Sequence, residues 1–95
     1  MPWATYILLC DQKIFYVGLS SNVNKRFLSH KLKQNPATKR FSDLRLVYCE
    51  NYTTRKQAEA REKQLKGWSV AKKKALIAGN KDLLVKLSKT REVVE

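Results

Sequence analysis

The sequence predicts an α+β domain with the element order ββαβα and one or two further helices, and three observations carry that reading. Trp3 to Cys10 and Ile14 to Val17 are apolar, aromatic runs of β-forming residues on either side of the polar Asp11-Gln12-Lys13, the pattern of a hairpin. Leu44 to Cys49 alternates Leu44, Leu46 and Tyr48 with Arg45, Val47 and Cys49, as a third strand does. The other segments carry helix start and stop signals instead.

In chain order, Gly18 is expected to end the second strand, and Ser20-Ser21-Asn22 offers N-caps for a helix from about Val23 to Leu32. On that helix Val23, Phe27 and Leu28 form an apolar stripe, while Arg26 and His30, four apart along its edge, are expected to stack. Residues 33–43, with Pro36 and Thr38-Lys39-Arg40, read as a loop. Thr54 with Gln57 three positions on makes a capping box for a helix that runs to about Lys66 and closes at Gly67. Ser69 opens the next helix, which Gly79 ends, and Asn80 caps a last one through Lys89. No repeat or linker divides the chain, so residues 1–95 read as one domain with a motif core at about 3–77 and a C-terminal helix at about 80–89.

Composition excludes several classes. In 95 residues one core is expected and a second is not, because only about two-thirds of the unfolded surface is buried at this size. With 43% apolar residues the chain is not a disordered basic tail. It has no apolar run long enough to span a bilayer and no secretory leader pattern, so a cytoplasmic location is expected. Cys10 and Cys49, with a single His in the chain, do not make a zinc site and are read as reduced core thiols.

The charge is more telling. Twenty Lys and Arg against eight Asp and Glu leave a net +12. Lys25, Arg26, Lys31, Lys33, Lys39, Arg40 and Arg45 form one group, opposed by Asp43 alone, and Arg55 through Lys74 forms a second. A polyanion is the natural partner, since each phosphate neutralised releases condensed counterions. Membrane adsorption fits less well, because the basic stretches do not form one long helix with a broad apolar face. Within the second group Glu62 shares the series Ala58, Glu62, Leu65, where a packed helix usually places an apolar side chain. A half-buried carboxylate there needs a partner, either a basic side chain such as Arg61, Lys66 or Arg26, or a divalent cation. Arg61 could occupy the stripe instead, and periodicity leaves both open. Strand tyrosines are ordinarily packing residues, and Tyr48, Tyr52, Trp3 and Trp68 are read in that way.

Ala4-Thr5-Tyr6, then Tyr16-Val17-Gly18 with Tyr16 ten positions after Tyr6, then Arg26 in the next helix and Glu62 in the one after, together resemble the GIY-YIG nuclease superfamily. Ala60-Arg61-Glu62-Lys63-Gln64-Leu65-Lys66-Gly67-Trp68 is similar to the corresponding helix of its small stand-alone members. The resemblance spans Trp3 to Ile77 and implies a three-stranded antiparallel sheet flanked by helices. It implies that Tyr6 and Tyr16 project from adjacent strands into a site where Arg26 holds the scissile phosphate. His30 matches a position where relatives use His or Tyr, and Glu62 would ligate one divalent ion, Mg²⁺ or Mn²⁺. Gly18 would let phosphate approach the backbone, and Lys25, Lys39, Arg40, Lys66, Lys72, Lys73 and Lys74 would bind substrate.

The chemistry suits those residue types. The guanidinium of Arg26 offers a fixed fork of donors to a phosphoryl group. Nearby cations are expected to favour the Tyr6 phenolate as a base, and His30 could share that role. The chain departs from the pattern in having Ala4-Thr5 for Gly-Ile, and Val70-Ala71-Lys72-Lys73-Lys74 where some relatives carry an ordering Asn. The function implied is metal-dependent hydrolysis of DNA phosphodiesters by a monomer, selective for structure more than sequence. The alternative is a non-catalytic nucleic-acid-binding module, which could be RNA-directed.

Overall fold

The chain turns first at Asp11 and Gln12, whose φ angles of 51° and 59° are both left-handed, with the Lys13 amide donating to the Cys10 carbonyl at 3.1 Å. A computed structural model describes residues 2–94, so Met1 and Glu95 of the expected 1–95 domain lie outside the described residues. Its elements are β1 (Trp3–Cys10), β2 (Ile14–Ser20), α1 (Val23–Lys31), β3 (Leu44–Tyr52), α2 (Arg55–Lys66), α3 (Val70–Ala78) and α4 (Lys81–Val94). The strands form one sheet of order β2-β1-β3, antiparallel throughout. This is the α+β architecture the sequence predicts, with four helices among the described residues. No helix of the described residues is long and apolar enough to cross a membrane.

The helix signals act where the sequence puts them. Thr54 and Gln57 make both bonds of the capping box. The side chains of Asn22 and Ser69 accept from the Lys25 and Lys72 amides, and Gly79 ends α3 at φ 71°. Asn80 accepts from the Leu83 amide at 3.1 Å to start α4, which runs on past Lys89. Strand ends are less local. Pairing with β1 carries β2 through Gly18 to Ser20 and β3 as far as Tyr52, because ladder partners and not residue type decide where a strand stops.

The sheet separates two apolar layers. Tyr6, Leu8 and Cys10 meet Phe41 and Leu44, with Tyr16, Val23, Phe27 and Leu46 packed around them. Ile7, Val17 and Leu65 face the other way, against Phe15, Val47, Tyr48, Trp68, Leu76 and Ile77. A register shift between Ile7 and Leu8 against β3 interrupts the expected alternation: Ile7 pairs with Tyr48 but Leu8 pairs with Leu46. The bulge turns Tyr48 away from Leu44 and Leu46 and into the Ile7 layer. Cys10 is buried as expected, whereas Cys49 is exposed on the outer strand. On α1 the expected stripe also shifts: Leu28 is 55% exposed and His30 is fully buried. The inward series is Val23, Phe27, His30, an i, i+4, i+7 set in which a polar residue has the third place.

Three hydrogen bonds fix α2 and the loop to this frame. Thr5 Oγ1 donates to the Ala58 carbonyl at 2.8 Å, holding α2 against β1 where Ala58 leaves room. Asp11 Oδ1 accepts from the Ser42 and Asp43 amides at 2.9 and 2.8 Å, tying the hairpin turn to the start of β3. Asp11 thus has reason to be left-handed, and exposed Gln12 has none. Gln12→Gly is expected to raise unfolding stability by about 1 kcal/mol, the cost of a left-handed Cβ, and Asp11→Gly to lower it, both read from urea midpoints.

Candidate active site

Tyr6 stands opposite Gly18 in the β1–β2 ladder, and its ring lies across the glycine. A Cβ on Gly18 would fall 2.5 Å from the Tyr6 hydroxyl oxygen and 2.6 Å from Cζ. The glycine therefore makes a slot for the phenol inside a strand, a packing reason that sequence reading did not supply. Tyr16 is opposite Leu8, one diagonal step from Tyr6, with ring centroids 6.4 Å apart.

His30 closes this group from α1. Its Nε2 lies 2.9 Å from the Tyr6 hydroxyl and its Nδ1 2.6 Å from Thr38 Oγ1, and Tyr16 meets the imidazole edge-on at 5.2 Å. His30 and Thr38 are fully buried and Tyr6 is 2% exposed. The expected stack of His30 on Arg26 is not made, because the imidazole turns inward to its hydrogen bonds while Arg26 stays exposed. Thr38 is the member that sequence reading missed: in a polar loop nothing in the residue pattern marks it as buried.

Burial drives the Tyr6 phenol well above its ordinary value. Tyr16 adds to the shift, Arg26 opposes it, and Glu62 adds again. The expectation that cations would favour the phenolate is thus reversed, since removal of the ring from water outweighs the Arg26 charge. Burial, then the Arg26 charge, lowers the His30 value below the usual 6.5. Arg26 from α1 and Glu62 from α2 both act electrostatically on the Tyr6 phenol.

Arg26 and Lys25 line an open depression with Ser20, Ser21, Asn22 and Ser29, beside the end of β2. Glu62 is about one-fifth exposed, and its Oε1 lies 3.7 Å from Lys66 Nζ. Arg61 turns instead to Glu50 on β3, with Nε and Nη2 donating to its two oxygens at 2.9 and 3.1 Å. Tyr52 donates to the same carboxylate at 2.6 Å and Tyr48 donates to it as well. Burial alone would raise the Glu50 carboxyl, but the Arg61, Tyr48 and Tyr52 hydrogen bonds hold it below its usual value. The two candidates for the α2 stripe are therefore both half-buried, each toward a different neighbour.

The remaining sequence-predicted residues divide. Lys39 and Arg40 are exposed on the loop that carries Thr38, with Arg40 over the Phe41 ring at 4.7 Å. Lys72 lies over the Trp68 ring at 4.4 Å, and α3 with Lys73 and Lys74 packs through Leu76 and Ile77 on the Ile7 layer. The structure thus brings Tyr6, Tyr16, Gly18, Arg26 and His30 together, sets Glu62 and Lys66 within electrostatic reach, and leaves Lys72 to Lys74 on the opposite layer.

The sheet of order β2-β1-β3 presents two tyrosines from adjacent strands beside a helical histidine, and a family-model match places this arrangement in a nuclease-type catalytic domain family. A family model described as the GIY-YIG catalytic domain matches residues 2–75, and the chain belongs to that family. Within it the chain is similar to the UPF0213 protein of Natronomonas pharaonis, 31% identical over 74 residues that cover 77% of this chain and 87% of the relative. The UPF0213 protein of Staphylococcus aureus is 36% identical over 73 residues, covering 76% and 89%. The solution NMR structure of the UPF0213 protein of Bacillus halodurans superposes with a TM-score of 0.53 at 26% identity, covering 82% of this chain and 84% of that one.

Two outcomes follow from the buried group. Gly18→Ala is expected to displace the Tyr6 ring, cost about 1–3 kcal/mol as overpacking does, and broaden or shift the His30 ring signals in NMR spectra. Acidification has a definite sign: with the folded His30 value depressed, the unfolded chain takes up the proton first. Stability is therefore complete above about pH 6.5 and falls below it, by at most about 1.4 kcal/mol per pH unit. Urea midpoints at pH 7.5 and 5.5 should differ for the native protein and converge for His30→Gln, with Tyr6, Tyr16 and Arg26 as the groups facing the ring.

Proposed function

We propose that this protein is a divalent-metal-dependent endonuclease that hydrolyses phosphodiester bonds in DNA. The observation that carries the reading is the convergence on one buried phenol of a second tyrosine, a histidine, an exposed guanidinium and a carboxylate from three other elements. Arg26 holds the non-bridging oxygens of the phosphate at the mouth of the group, beside Lys25. Tyr6 first releases its own proton to solvent, a loss that the Arg26 charge favours, and the phenolate, made a strong base by burial, then takes the proton of the attacking water. Lys39 and Arg40 bind the flanking phosphate backbone.

Glu62 suits a hard cation as a single protein ligand. Its 3.7 Å contact with Lys66 is too long for a hydrogen bond, so its oxygens remain able to coordinate. No cluster of three or more His, Cys, Asp or Glu exists among the described residues, so water and phosphate oxygens would fill the other positions. Bound there, Mg²⁺ or Mn²⁺ would supply positive charge to the phosphate and to the departing 3′ oxygen.

The division of cations between two layers supports structure selectivity. Lys25, Lys39 and Arg40 lie with the α1 layer and Lys72 to Lys74 on α3, which packs on the opposite layer. A bent, nicked or branched DNA can reach both, and such contacts to phosphate carry no base code.

Purified protein should nick supercoiled plasmid with Mg²⁺ or Mn²⁺ and stop on chelation. Glu62→Ala and Arg26→Ala should each slow nicking about 100-fold or more, as loss of a charge-stabilising group does, and Arg26→Lys should restore little. Four-way, flapped and nicked substrates should be cut ahead of linear duplex. Wild-type rates in both variants would overturn the reading. DNA or RNA binding that ignores chelator, without cutting, would establish the non-catalytic module instead.

A further inference from the structure

The buried pair of bonds on His30 has a direction. The Thr38 hydroxyl carries one proton, and the hydrogen-bond partner of its oxygen is His30 Nδ1 at 2.6 Å. Thr38 is fully buried, and no buried side-chain nitrogen or oxygen of the described residues lacks a partner. The contact at 2.6 Å is shorter than the range of about 2.7–3.2 Å over which an N–H donates to oxygen, and fits a hydroxyl donor, whereas 2.9 Å is the ordinary N–H···O length. With Nδ1 unprotonated, Thr38 O–H donates to Nδ1 and Nε2–H donates to the Tyr6 oxygen, 2.9 Å away. The Thr38 and imidazole protons then both have acceptors, and the one proton without a protein acceptor is that of the Tyr6 phenol.

We propose that Thr38 sets the tautomer of His30, placing its proton on Nε2, so that the imidazole is a positioning donor to Tyr6 and not the base. The loop is built to hold Thr38 there. The Thr38 amide donates to the Asn35 carbonyl at 3.2 Å, the Phe41 amide donates to the Thr38 carbonyl at 3.0 Å, and Lys33 Nζ donates to the Phe41 carbonyl. The imidazole has both nitrogens engaged and no exposed surface, so it has no access to a water at the mouth. Tyr6, once its own proton has passed to solvent, is left to accept the water's proton, a consequence that rests on the nuclease reading, whereas the tautomer itself does not.

The protein has a single histidine, so an untagged, ¹⁵N-labelled sample gives an unambiguous long-range ¹H–¹⁵N spectrum of its ring. At pH 7.5 the expected pattern is protonated Nε2 with unprotonated Nδ1. Thr38→Val, which removes the hydroxyl and keeps the shape, should move the ring toward the Nδ1–H form or a mixture. Thr38→Ser should restore the native pattern. In nicking assays Thr38→Val should lower kcat about tenfold or more with little change in KM, and Thr38→Ser should recover it. An Nδ1–H pattern in the native protein, or one unmoved in a folded Thr38→Val, overturns the assignment. If Thr38→Val does not fold, the native and Thr38→Ser spectra decide alone. The expected spectra in a protein that nicks nothing would uphold Thr38 and sink the nuclease reading separately.

Discussion

The hydrogen bond between the Tyr6 phenol and His30 is the constraint around which the α1 layer is arranged. Two polar rings placed in a core cost free energy unless their polar atoms find partners, and here the phenol oxygen and both imidazole nitrogens do. Meeting that condition involves three remote features of the chain. Gly18 gives up a side chain so that the phenol can lie across β2, α1 turns a histidine inward at a place in its apolar series, and the loop folds Thr38 under the helix. A polar group satisfied on all sides is also geometrically rigid, which is what a site acting on an incoming group requires.

Helix α2 divides the charges of the domain. Ala58 and Leu65 anchor it to the sheet, and on either side of that line Arg61 and Glu62 go different ways. Arg61 is consumed by Glu50, with Tyr48 and Tyr52 on the same carboxylate and Trp68 under the guanidinium at 4.9 Å. That group braces β3 against α2 and removes one cation from the surface. Lys33, held by the Phe41 carbonyl, Arg45, paired with Asp43, and Arg55, paired with Glu59, are likewise occupied. The formal +12 already subtracts those carboxylates, and Lys25 and Arg26 at the depression beside β2, Lys39 and Arg40 on the loop and Lys72 to Lys74 on α3 are among the cations that carry it.

The buried site also explains how a phenol, a weak base at ordinary values, sits at the centre of such an arrangement. Burial, not the surrounding cations, dominates its proton affinity, and the nearest opposing influence is Arg26. Ligands that bring charge to that mouth will shift the balance through the same low-dielectric interior that now holds the phenol neutral.

Capping residues and the hairpin break were readable from the chain, because each is a contact between residues a few positions apart: Thr54 with Gln57, Asn22 with Lys25, Ser69 with Lys72. The tyrosine, arginine and glutamate of the site were legible by their order and spacing. What the chain alone could not yield is which side of its helix His30 takes, that Leu28 is left outside, that Tyr48 crosses the sheet, or that Thr38 is buried at all. Those depend on partners in other elements: a slot left by Gly18, a bulge opposite Ile7, a donor and an acceptor brought together across the fold. Local bonds are written in neighbouring residues, whereas the burial of a polar side chain is decided by whether the assembled structure can satisfy it.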